Sequence, residues 1–146
     1  MGASPHELPR WECIDLLESQ EIGRVCIVEH SYPLAFPVNY RVTTGPDLPT
    51  IVFRTSPSAA IGTYTGQASF EIDVVDAARR NAWSVIARGT LRRGDERHWL
   101  VSPTPLVSEG RIQWMALTIS SISGRRFVSK PVDDGAFAVE WESAAL

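Results

Sequence analysis

The sequence predicts a mainly β protein: an antiparallel barrel of about six strands, closed or nearly closed, with two or more short helices. Apolar and polar residues alternate with a period of two through Phe36–Val42 and Ala68–Val74, the pattern of strands with one buried face, and Ala82–Leu91 reads as a further long strand. Turn-forming residues separate these runs, while helical spacing is confined to short stretches. Closing such strands on one another removes the exposed edges that an open sheet would carry.

Taken in order, residues 1–8 read as a flexible N-terminal arm and residues 9–146 as a single domain. Pro9 suits a helix start, where its missing N–H is no loss. From Arg10 to about Ser19, Trp11, Ile14 and Leu17, with Cys13 and Leu16, recur at helical spacing. Arg24–Glu29 is the first strand, and His30-Ser31 a tight link out of it. Pro33–Thr44 and Ile51–Thr55 then form a hairpin around Gly45-Pro46-Asp47. Ser56-Pro57-Ser58 resembles a cap leading into a short helix that stops before Gly66. Ala68–Val74 is a half-buried strand and Asp76–Asn81 a polar loop. Ala82–Leu91 is a long strand in which Gly89 marks a bulge or a close backbone approach. Residues 92–110 form a long, partly irregular connection, and Ile112–Ile119 a strand with Trp114 on one face and Met115 and Leu117 on the other. Ser123–Phe127 and Asp133–Gly135 read as turns, with a last short element around Phe137, Val139 and Trp141.

With 146 residues, 44% of them hydrophobic and five of them Trp, the chain has enough material for one core. A net charge of −3 argues against general nucleic-acid binding, which needs a basic face. No run of about 18 apolar residues exists to span a membrane. The N-terminal segment has no apolar signal core, so a cytoplasmic location is expected. Cys13 and Cys26 read as small buried hydrophobes rather than a disulfide.

The chemistry is expected on the outward face of the hairpin. Phe36, Val38, Tyr40 and Val42 share one side of their strand; Ala35, Pro37, Asn39 and Arg41 share the other. Asn39, Arg41, Arg54 and Thr55 offer donors suited to an anionic ligand on rigid elements. Arg54 and Arg88 admit two readings, a structural ion pair with Glu71 or Asp73 or a phosphate contact. Glu71, Asp73 and Asp76 read as a solvated strand face and a turn-initiating Asp. His6, His30 and His98 lack the spacing of metal ligands, so no metal is expected. There is no Gly-x-Gly-x-x-Gly, Walker-type or Gly-x-Ser-x-Gly motif, and no side chain is named as a catalytic acid or base.

The order of several weak motifs resembles the pyridoxamine 5′-phosphate oxidase-like flavoproteins, nearest to their nitroimidazole-resistance-like and small actinobacterial-type branch. The resemblance covers about residues 8–127. It rests on Leu8 through Gly23-Arg24-Val25, Phe36–Tyr40, Ile51–Thr55, Phe70–Asp73 with Asp76, Trp83-Ser84-Val85 to Arg88-Gly89, and Gly124-Arg125-Arg126. It implies an FMN-binding split β-barrel homodimer with two cofactor sites at the subunit interface. Pro37, Val38 and Asn39 would line the flavin ring, Arg54 and Thr55 would meet the phosphate, and Trp83 and Ser84 would approach from the partner chain. Where the family carries a phosphate-binding Lys, Ala60 stands, which implies weakened flavin binding or a changed ligand. The resulting expectation is an FMN-dependent oxidoreductase acting on a small molecule. Its alternatives are a deazaflavin (F420)-dependent reductase and a non-catalytic binding or scaffold dimer with a degenerate flavin site.

Overall fold

The computed structural model describes residues 4–43, 49–94 and 112–128. In chain order these form β1 (Ser4–Glu7), α1 (Arg10–Ser19), β2 (Ile22–Glu29), β3 (Tyr32–Thr43), β4 (Thr50–Thr55), α2 (Ala60–Thr63), β5 (Gly66–Asp76), β6 (Asn81–Arg93) and β7 (Gln113–Val128). The strands make one antiparallel sheet in the order β1-β7-β4-β3-β2-β5-β6, and β6 pairs again with β7. That last pairing closes β2–β7 into a barrel, the mainly β architecture the alternation predicts.

The alternation also decides what lies inside. Val25, Tyr40, Phe53, Phe70, Val85 and Leu117 point inward and are essentially inaccessible to solvent. Tyr40 and Phe70 meet edge to face with ring centroids 4.7 Å apart. The Tyr40 hydroxyl donates to the carbonyl of Leu17, which ties the end of α1 to the barrel. Burial holds this phenol well above its usual pKa, so it remains a donor. Helix α1 begins after Pro9, buries Cys13 and Leu17, and is held to β7 by an Arg126–Glu12 ion pair at 2.8 Å. Trp11 departs from the expected apolar set of this helix: it is 65% exposed, because its side of the helix faces away from the barrel.

Several local expectations are corrected by pairing partners far away in sequence. Residues Ser4–Glu7, expected within a flexible arm, form β1, whose backbone pairs antiparallel with Arg125–Val128. Ser123–Phe127, expected as a turn, lies within β7. Gly124 is there because the backbone passes close to α1: a Cβ would stand 2.9 Å from the Cys13 Sγ and 3.0 Å from the Ser84 carbonyl oxygen. Gly89 meets both parts of its expectation. The ladder shifts between Arg88 and Gly89, and a Cβ on Gly89 would lie 1.9 Å from the Thr118 carbonyl oxygen. Ser58 does not cap α2; its N–H instead reaches the Ser56 Oγ at 3.3 Å, and Ala59 occupies the cap position. His30 and Ser31 both take positive φ in the two-residue link between the paired Glu29 and Tyr32.

The Gly45-Pro46-Asp47 turn, most of the 92–110 connection and everything after Val128 lie outside the described residues. Among those described, no helix is long and apolar enough to cross a membrane.

Candidate functional site

One step beyond the paired residues Tyr40 and Phe53, Asn39 and Arg54 leave their strands on the outer surface. Arg54 pairs across the ladder with Trp114 of β7, and its guanidinium carbon lies 5.1 Å from that ring's centroid. At that distance the cation is within cation–π range of the ring, and a guanidinium carries its N–H donors in its own plane, the geometry that matches oxyanions. Thr55 follows opposite Gln113, and the chain then turns through Ser56–Ala59. In this turn the Ser56 and Ser58 hydroxyls stand 2.9 Å apart, with Ala59 N–H donating to the Ser56 carbonyl at 3.1 Å. Ala60 opens α2 half-buried and without charge.

The sequence-predicted residues do not all share that surface. Pro37 is exposed and Asn39 half-buried on the outer side of β3, beside Arg24 and Ile22 of β2. Val38 points inward and is buried. Trp83 is 9% exposed and packs in the core, while Ser84 turns outward between Asp73 of β5 and Arg125 of β7. Thus Pro37, Asn39, Arg54 and Ser84 present their side chains outside the barrel, whereas Val38 and Trp83 shape its interior.

An ion-pair cluster stands on the same exterior. Arg24 bonds Glu71 at 3.2 Å and approaches Asp73 at 3.8 Å. Sequence reasoning offers those carboxylates to Arg54 or Arg88; the structure gives them to Arg24, because the β2–β5 register sets Arg24 directly opposite Glu71. Burial raises the Glu71 pKa to about 7, the neighbouring Asp73 adds to the rise, and Arg24 opposes it. Two contributors were missed in the sequence. Trp114 was assigned only a face, and Arg24 was read only as part of a motif. Its outward place in the period-two pattern of β2 was the available signal. Among the described residues, no group of three or more His, Cys, Asp or Glu is placed to hold a metal ion.

A groove of about 570 Å³ crosses the outside of β2, β5, β6 and β7 beside Pro33 of β3; of the residues singled out in the sequence for a phosphate contact, Arg88 lines it and Arg54 does not.

A family model described as pyridoxamine 5′-phosphate oxidase matches residues 9–126. Among solved structures, a conserved protein of unknown function from Corynebacterium diphtheriae superposes with a TM-score of 0.73. It is 22% identical, with 85% of this chain and 98% of that one covered. An FAD binding protein from Mycobacterium smegmatis has a TM-score of 0.66 at 27% identity, covering 85% and 99% of the two chains. An FAD-binding protein from Mesorhizobium loti has a TM-score of 0.69 at 17% identity, covering 86% and 98%; at that identity the likeness shows the fold. No curated protein matches the sequence.

Proposed function

The chain belongs to the pyridoxamine 5′-phosphate oxidase family, and from that membership we propose that it binds a flavin, FMN in the first instance, as an oxidoreductase homodimer acting on a small molecule. The observation that carries the reading is the Arg54 corner: a guanidinium stacked on Trp114 beside a turn with two serine hydroxyls. A phosphate bearing nearly two negative charges is matched by such donors. The residues therefore fit the phosphate end of the cofactor, with Arg54, Thr55, Ser56 and Ser58 to hold it. Pro37 and Asn39 offer the ring an apolar surface and a polar contact at its edge. Ala60 supplies no cation there, so the grip is weaker than with a lysine.

When bound, the flavin supplies the electron-transfer chemistry; the chain binds it, orients its ring and excludes water. Dimerisation is supported by exposed apolar side chains at outward positions of neighbouring strands: Ile22 and Val28 on β2, Val75 on β5 and Ile86 on β6. FAD is the second reading, favoured by the 27%-identical FAD binding protein that matches over nearly its whole length.

The deciding experiment is an absorbance spectrum of the purified protein after incubation with FMN or FAD and desalting. Retained bands near roughly 370 and 450 nm support the proposal. Chromatography of the released cofactor separates the two flavins. Colourless protein after both incubations would overturn it.

A further inference from the structure

The strand register gathers a second set of polar side chains away from the Arg54 corner. Cys26 of β2 pairs with Ser69 of β5, Ser69 with Arg88 of β6, and Arg88 with Ser121 of β7. One alternation further along, Gln67 pairs with Thr90. These positions share the outer face of the barrel and line the groove of about 570 Å³. The bulge shapes it. Arg88 faces Ser121 and Gly89 faces Ile119, so Ser120 is the extra residue, and its hydroxyl donates to the Arg88 carbonyl at 3.0 Å. A bulge bends the strand and re-aims its neighbours, which here brings consecutive serines beside Arg88.

The Arg88 side chain is exposed and makes no ion pair among the described residues. Glu71, two positions along β5 from Ser69, is engaged by Arg24 at 3.2 Å, and Asp73 stands 3.8 Å from the same guanidinium. The groove therefore keeps a cation of its own on a chain whose net charge is −3. Hydroxyls on the strands to either side, Ser69 and Ser121, and Thr90 on the same strand add donors in several directions. A carboxylate has two oxygens and would leave some of these donors unused, whereas a tetrahedral oxyanion can meet more of them. Val28 and Pro33 complete the wall with apolar surface.

We propose that this groove is a binding site for a phosphate monoester, with the Arg88 guanidinium holding the phosphate, the hydroxyls of Ser69, Thr90 and Ser121 completing its contacts, and Val28 and Pro33 meeting the organic part. The site goes beyond the flavin reading and uses none of the residues assigned to the flavin; Val28 alone also belongs to the exposed apolar set that supports dimerisation.

The test is a titration of the full-length, ligand-free protein with inorganic phosphate and then phenyl phosphate at constant ionic strength, followed by amide NMR. Saturable shifts are expected at Ser69, Gly89, Ser120 and Ser121, with phenyl phosphate binding more tightly than phosphate. Arg88→Gln should weaken both by ~10-fold or more, the scale of one charge-assisted contact, and Arg88→Lys by less. Arg54→Gln should leave these shifts unchanged even if it abolishes flavin retention, so the two proposals fail separately. Absence of saturable shifts at those amides in the wild-type protein overturns the site, whether or not Arg88→Gln folds. An unchanged midpoint in a folded Arg88→Gln also overturns it. Phenyl phosphate binding no tighter than phosphate overturns the monoester assignment.

Discussion

Arg54 and Arg24 stand on the same exterior of the barrel against different cross-strand neighbours, an aromatic ring for one and a carboxylate for the other. Arg24 lies between two carboxylates, at 3.2 and 3.8 Å, and its charge is spent within the protein. Arg54 lies over the Trp114 ring, 5.1 Å from its centroid, a contact that holds the guanidinium on the outer face. The difference shows why an arginine on a strand is not by itself a ligand-binding signal: the residue opposite it in the neighbouring strand decides. Each contact follows from register. Arg24 is paired with Glu71 in the β2–β5 ladder, and Arg54 with Trp114 in the β4–β7 ladder.

The strongest way to break the contrast is to remove the stacked cation. Arg54→Gln should weaken flavin binding by ~10–100-fold, measured by fluorescence titration. Its stability should change by less than about 1 kcal/mol, the scale of a cation–π contact at a partly exposed site. A large loss of stability with unchanged flavin affinity would make Arg54 a structural residue and overturn its binding role.

The next largest effect sharpens the Arg54 side. Ala60→Lys places a second cation at the start of α2, directly after the serine turn. FMN binding should tighten by ~10-fold, with a smaller gain for riboflavin, which has no phosphate. Calorimetry showing no gain with the variant folded would mean that no flavin phosphate is held beside α2.

On the Arg24 side the expected effects are smaller and depend on pH. The Glu71 pKa is raised from 4.5 to about 7 in the folded protein. Between those values the folded form keeps a proton that the unfolded form has released, so stability falls as pH rises through the window. Below it the carboxyl is neutral in both states and adds no penalty; above it the penalty is complete. Glu71→Gln cannot titrate and should flatten the decline by on the order of 1 kcal/mol, read from urea midpoints at about pH 4.5 and about pH 8. A decline as steep as in the wild-type protein would remove Glu71 as its cause.

The smallest change is expected from Arg24→Gln. This side chain is half exposed, so its ion pairs contribute little, about 0.2–1 kcal/mol. Flavin retention should stay as in the wild type. The Glu71 midpoint, followed by carboxyl NMR, should move up because the charge opposing its rise is gone. A midpoint that stays put would break the assigned coupling.

The period-two pattern by itself determined which side of each strand is buried. Phe36, Val38, Tyr40 and Val42 needed only their spacing to be assigned to the inside, and Pro37, Asn39 and Arg41 to the outside, because consecutive side chains of a strand alternate. Arg54 and Asn39 were legible as outward donors for the same reason, as was the irregularity at Gly89. What tertiary structure alone decided are the partners across the sheet. Arg24 rather than Arg54 or Arg88 holds Glu71, Trp114 lies under Arg54, and Ser123–Phe127 continues β7 instead of turning. Trp83 shows the division within one motif, since alternation separates it from Ser84 and puts it on the buried side, while only the closed barrel decides what it packs against. Alternation is a property of neighbouring residues, whereas register joins segments tens of residues apart, and the packing that selects it exists only once the barrel has closed.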